Sequence, residues 1–135
     1  MAYSQWIYMI INNLSKSGDL KFKNLSTKWG KLYQWDNKDQ ELSSADVTKQ
    51  VAGPLGKIEI ASCGRSGASS GTEGNYDIYN GDTRVCHIYW DCPWGKKANT
   101  FTVSNVNDNF VVQATGQNPS SGASGTVTIK VVSLA

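Results

Sequence analysis

The sequence predicts an all-β fold, a single-domain antiparallel β-sandwich, and three observations carry that prediction. Apolar and polar residues alternate with period two along most of the chain, turn residues recur between the alternating segments, and only one stretch has the makings of a helix. Several short strands at regular spacing pack most simply as two sheets around one core. At 135 residues the chain is expected to be one domain, spanning 1–135. A domain of this size buries roughly two-thirds of its unfolded surface, enough for a core without staples.

Taken in order, Tyr3–Asn12 reads as a strand with apolar residues on both faces. Ser17-Gly18-Asp19 makes a turn, and Leu20-Lys21-Phe22-Lys23 then puts Leu20 and Phe22 on one face. Trp29–Trp35 reads as the next strand, and Glu41–Lys49 is the one stretch able to hold a helical turn or two. Gly53-Pro54-Leu55-Gly56 precedes a strand carrying Ile58 and Ile60 inward. Tyr76 and Ile78 alternate with Asn75, Asp77 and Tyr79, and Asn80-Gly81 is a short hairpin signal before Val85–Trp90. Phe101 with Val103, Val111–Thr115, and Val127 with Ile129 and Val131 complete about nine strands. Two loops differ in kind. Cys63 to Gly74 is nearly all small residues, whereas Trp90 to Lys97 gathers two Trp and two Lys around Pro93.

Composition excludes several classes. The net charge is only +2 and no basic run exceeds Lys96-Lys97, so no nucleic-acid partner is expected. No stretch reaches the roughly 18 apolar residues of a membrane span. The strands read as shorter than the roughly 9–11 residues of a transmembrane strand, and their apolar faces are needed for the core. The N-terminus shows no basic region and no small-residue cleavage site, so a secreted or cell-associated protein without an evident signal peptide is expected. Asn13 and Asn24 fit the N-glycosylation pattern; either the protein is made without a signal or a processed part is absent from the sequence, and without an evident signal their use is not expected.

Catalytic chemistry is thin. The single histidine, His87, follows Cys86 on a strand, and neighbouring strand residues point to opposite faces, so the two form no nucleophile–base pair. Cys63, Cys86 and Cys92 are an odd set without a C-x-x-C spacing, which argues against zinc and against a disulfide framework. They read as buried thiols packed as small hydrophobes, with a single Cys63–Cys92 bridge as the alternative. The glycine-rich segment Gly64–Gly71 lacks the Gly-Lys-Ser/Thr ending of a phosphate loop. No enzyme, cofactor or metal is expected.

The positive signal is aromatic: five Trp and six Tyr. Trp94 sits between Pro93 and Gly95, beside Lys96 and Lys97, and Trp29 stands just before Gly30. Trp and Tyr favour the membrane–water boundary because one end is apolar and the other hydrogen-bonds. Grouped rings also hold a quaternary ammonium, at roughly 0.5–2 kcal/mol per good contact, and a nearby lysine serves the phosphate as a point charge. The plain alternative is that these rings fill the core and rim of a small sandwich.

Certain strings carry a resemblance that runs nearly end to end. They are Met1-Ala2-Tyr3-Ser4-Gln5-Trp6, Lys28-Trp29-Gly30-Lys31, Asn37-Lys38-Asp39, Ser62-Cys63-Gly64-Arg65-Ser66, Tyr89-Trp90-Asp91-Cys92-Pro93-Trp94-Gly95, Gly116-Gln117-Asn118 and Ser121-Gly122-Ala123. Together they resemble the aegerolysin family. The resemblance implies a secreted or cell-associated β-sandwich, peripheral on target membranes, that recognises sphingolipid head groups. The lipid would be sphingomyelin with sterol or ceramide phosphoethanolamine, and many members act with a membrane-attack-complex/perforin partner that makes the pore. Carried over by motif, the head-group site would use Trp6, Trp29, Tyr89, Trp94 and Lys97, with Ser70 and Glu73 in a selectivity loop. The chain departs from the pattern at Trp35, where a small or polar residue is expected, at the extra thiol Cys86, and at Gly67 and Ser70, where relatives often carry acidic residues. Two other functions compete. A lectin would stack sugars on exposed Trp and dispense with Lys97, and a self-sufficient haemolysin would need an amphipathic N-terminal helix.

Overall fold

The computed structural model describes residues 2–134; Met1 and Ala135, the ends of the expected 1–135 domain, lie outside the described residues. Ten strands follow a short 3-10 turn at Ala2–Ser4. They are β1 (Trp6–Asn13), β2 (Leu20–Trp29), β3 (Lys31–Gln34), β4 (Asn37–Leu42), β5 (Lys57–Cys63), β6 (Thr72–Asn80), β7 (Thr83–Cys92), β8 (Thr100–Ser104), β9 (Phe110–Thr115) and β10 (Gly125–Ser133), with one helix, α1 (Ser44–Thr48), after β4. Six strands form one sheet in the order β4-β3-β5-β1-β10-β9, and four form the other in the order β2-β6-β7-β8. This is the predicted β-sandwich.

The alternating residues meet between the sheets. Ile7, Met9, Ile11, Ile58, Ile60, Val127 and Ile129 from the six-stranded sheet pack against Leu20, Phe22, Tyr76, Ile78, Ile88 and Trp90 from the four-stranded one. The apolar residues on both faces of β1 have a structural reason. This strand is central in its sheet, so Ile7 and Met9 enter the main core while Tyr8 and Ile10 join a second cluster on the opposite face, around Tyr33, Ala61 and Cys63. α1 falls inside the expected segment. A capping box starts it, with the Ser43 hydroxyl accepting from the Asp46 N–H and the Asp46 carboxylate accepting from the Ser43 N–H.

The structure corrects five details. β1 pairs β5 antiparallel but β10 in parallel, Ile7 opposite Gly125 through Asn13 opposite Val131, so the sheet is mixed. The expected strand Trp29–Trp35 is two strands in two different sheets, divided at Gly30. There φ is +85°, and a Cβ would lie 2.5 Å from the Cys63 carbonyl oxygen, so only glycine lets the chain cross between sheets. Tyr3 belongs to the 3-10 turn rather than to β1, and a tenth strand, β4, is an exposed polar edge with no apolar alternation to reveal it. Finally, β2, β6, β7 and β10 are 9 or 10 residues long, so length does not bar them from crossing a membrane; their commitment to the core is the remaining objection.

The Asn80-Gly81 signal marks the β6–β7 hairpin: Asn80 pairs with Thr83, leaving Gly81 (φ +58°) and Asp82 as the turn. The glycosylation candidates are structural. Asn13 is fully buried and its amide donates to the carbonyls of Gly18 and Ala52, while the Asn24 amide donates to Asp77 at 2.8 Å. All three cysteines are free and buried.

Candidate lipid head-group groove

Three strands of the smaller sheet set a row of polar side chains beside the two Trp-bearing segments. In register, Trp29 of β2 pairs with Glu73 of β6, and Glu73 pairs with Asp91 of β7. Tyr89, two residues before Asp91, shares its face, and its hydroxyl donates to Glu73 at 2.6 Å. Trp90, between them, points the other way and is fully buried. Its indole N–H donates to the Thr72 hydroxyl at 3.0 Å, and the Thr72 oxygen is also bonded to the Ser62 hydroxyl at 2.5 Å. The floor of the site is therefore tied to the core.

Two loops close over this row. At Gly71 a Cβ would lie 1.9 Å from the Cys92 carbonyl oxygen, so the small-residue loop presses directly on the end of β7. That contact places Ser70 and Glu73 beside Pro93, Trp94 and Lys97. The result is a groove of about 510 Å³ lined by Trp29, Ser70, Glu73, Asp91, Trp94 and Lys97, among others. Trp29 is 53% exposed and Trp94 37%, so both keep apolar surface open to a ligand.

The electrostatics are of both signs. Burial raises the pKa of Asp91, the neighbouring Glu73 raises it further, and Lys28 and Lys97 pull it back only in part. Burial also raises the Tyr89 hydroxyl, with the Glu73 hydrogen bond adding to it, so Tyr89 stays a neutral donor. The groove thus offers two carboxylates and an ammonium on Lys97, a combination of charges that complements a zwitterion.

A profile for the family described as Aegerolysin matches residues 4–134. Ostreolysin A6 of Pleurotus ostreatus is 46% identical over 132 residues, covering 96% of this chain and 95% of its own. Asp-hemolysin of Aspergillus fumigatus is 44% identical over 130 residues, covering 96% and 94%. The crystal structure of RahU protein in complex with a TRIS molecule superposes with a TM-score of 0.92 at 34% identity, covering 99% of this chain and 98% of that one. The chain belongs to the aegerolysin family. It is a membrane lipid-binding, haemolysin-like protein and not an enzyme.

In this aegerolysin the residues expected at the head-group site divide. Trp29, Trp94, Lys97, Ser70 and Glu73 line the groove together, and Tyr89 reaches it through Glu73. Trp6 does not line it. Its ring lies 5.5 Å from that of Trp35 and 5.4 Å from Lys38 Nζ, in a separate hollow with Tyr3 on the outer face of the larger sheet. The sequence reading missed Asp91, although the strand alternation that turns Trp90 inward puts Asp91 on the same face as Tyr89. His87 does structural work: its Nδ1 lies 2.7 Å from an Asp77 oxygen. The adjacent Cys86 faces the core, and burial pushes its thiol up to about 12, which leaves no thiolate nucleophile at neutral pH. Among the described residues no three His, Cys, Asp or Glu side chains are grouped to hold a metal.

A ligand whose ammonium meets Asp91 in this groove is expected to bind in a pH-dependent way. A bound ammonium stabilises the ionised carboxylate, so binding releases a proton wherever Asp91 is protonated in the free protein. Affinity is full above the raised pKa of Asp91 and falls as pH drops through it. Vesicle binding is expected to weaken as pH falls from neutral into the acid range in which Asp91 takes up its proton. Asp91→Asn is expected to bind more weakly at neutral pH and to flatten the profile.

Proposed function

We propose that this groove reads the phosphorylated amino-alcohol head group of a membrane sphingolipid, and that the protein is the targeting component of a two-part cytolytic pore completed by a perforin-like partner. The observation that carries the reading is the pairing of two half-open Trp rings with charges of both signs in one groove. The rings of Trp29 and Trp94 lie at the membrane–water boundary and flank the ammonium, Lys97 takes the phosphate, and Glu73 with Asp91 takes the ammonium charge. Two carboxylates suit an ammonium with N–H donors better than a trimethylated one, which has none to give. This reading therefore ranks ceramide phosphoethanolamine above sphingomyelin, with or without sterol. Ser70, a neutral residue on the rim, tunes that ranking. On this reading the protein is secreted or cell-associated and acts peripherally on target membranes.

The division of labour rests on where apolar surface is spent. No helix among the described residues is long and apolar enough to cross a membrane. The longest strands give their inward faces to the sandwich core, and the N-terminal segment Trp6–Asn13, which a self-sufficient haemolysin would insert as a helix, is a central strand. The test is flotation and dye release with vesicles containing ceramide phosphoethanolamine, sphingomyelin with cholesterol, or phosphatidylcholine alone. The protein is expected to bind the two sphingolipid vesicles, favouring the first, and to release little trapped dye by itself; a matching perforin-like partner is expected to release it. Rapid release by the purified chain at low dose would overturn the two-part reading.

A further inference from the structure

The outer face of the larger sheet carries a second hollow that the head-group groove does not use. It has a volume of about 540 Å³ and lies between β4, α1 and the face of β5. Its walls include Tyr8, Tyr33, Trp35, Gln34, Gln40 and Glu59. The Trp35 ring stacks on the Tyr8 ring, 4.0 Å apart and 7° from parallel, so Tyr8 lies buried beneath it and Trp35 is the aromatic surface left to a ligand. Tyr33 is 1% exposed, and its buried hydroxyl has no hydrogen-bond partner among the described residues. A buried hydroxyl without a partner is costly, and a ligand that supplies one recovers that cost.

Charge identifies the kind of ligand. Three carboxylates border the hollow, and each is engaged. Glu41 takes both guanidinium nitrogens of Arg65, at 2.8 and 3.0 Å. Glu59 accepts from the Tyr8 hydroxyl and lies 3.6 Å from Lys57 Nζ. Asp46 caps α1. Lys49 also lines the hollow and acts on Asp46, so with both signs of charge present a cation gains little there, whereas the remaining lone pairs still accept from hydroxyl groups. The exposed Gln40 amide adds a donor and an acceptor.

We propose that this hollow binds a neutral saccharide, which lays its C–H face against the Trp35 ring, backed by Tyr8, and bonds its hydroxyls to Tyr33, Glu59 and Gln40. The protein would then carry two independent recognition sites on opposite sheets, one for a lipid head group and one for a sugar.

The experiment is calorimetry of the full chain with free galactose, N-acetylgalactosamine, mannose and glucose, alongside proton–nitrogen NMR of the Trp indole signals. At least one sugar is expected to bind with a millimolar Kd and to move the Trp35 indole signal but not that of Trp94. Trp35→Ala is expected to weaken the sugar by at least about tenfold and Gln40→Ala, at an exposed side chain, by about threefold, while Trp94→Ala leaves it unchanged. Trp35→Ala is expected to keep its affinity for sphingolipid vesicles, so the two sites stand or fall separately. Absence of binding by all four sugars, or a shift at Trp94 instead of Trp35, would overturn the proposal.

Discussion

Trp94→Ala is expected to lower affinity for sphingolipid vesicles by at least about a hundredfold and to shift the thermal midpoint by no more than about 2 °C. The ring stands on a loop after β7, 37% exposed, with open space where a side chain at the next residue, Gly95, would point. Removing it therefore opens no cavity in the core. At the membrane the same ring has three roles. It borders the groove together with Trp29, and on the proposed reading it presents its π face to the head-group ammonium and inserts apolar area at the boundary. Aromatic anchors of this kind cost roughly 2–4 kcal/mol when truncated at an interface, which converts to the stated loss. Vesicle flotation paired with a melting curve separates the two effects. A mutant that unfolds well below the wild type would assign Trp94 to the core instead.

Trp90→Ala, four residues earlier in the same string, is expected to do the opposite and cost about 3–5 kcal/mol of stability. That corresponds to a midpoint lower by roughly 10–20 °C for a domain of this size. Trp90 is fully buried, its ring 6.0 Å from Tyr76, and it packs so closely on β6 that a Cβ at Gly74 would lie 2.6 Å from it. Its truncation also removes the bond to Thr72, which lines the groove, so the fraction that still folds should bind lipid poorly. Denaturant titration followed by circular dichroism measures the loss. A mutant as stable as the wild type would mean that the sheet carrying the groove does not depend on this ring.

The contrast between these two tryptophans shows how much was legible in the sequence. Strand alternation is a local property, so the inward set of Ile58, Ile60, Tyr76, Ile78, Val127 and Ile129 follows from spacing alone, whereas the pattern left Trp90 unassigned between core and surface. The small helix and the β6–β7 hairpin are similarly local. Pairings between distant segments are not. Nothing near Trp6 tells that β5 pairs with β1 and β3 with β5, the order that brings Trp35 to Trp6 on the outer face, away from Trp29 and Trp94. Gly30 looked like an ordinary strand glycine because the close approach that demands it comes from Cys63, on β5. β4 lacked any apolar signal because it is an edge with solvent on most of its residues. Within the groove, the family motif located Trp29, Trp94 and Lys97, while Asp91 needed the cross-strand partner Glu73 to acquire meaning.

The central claim, that the Trp29–Trp94 groove is where the head group sits, is tested most directly by following the five Trp indole N–H signals while O-phosphoethanolamine is added. Trp90 is sealed in the core, Trp6 and Trp35 lie on the far sheet, and only Trp29 and Trp94 line the groove. The account predicts that the Trp29 and Trp94 signals move together and saturably, that the other three stay still, and that Lys97→Ala suppresses the movement. Movement of Trp6 or Trp35 with Trp29 and Trp94 unchanged would place the head group on the other sheet and contradict it.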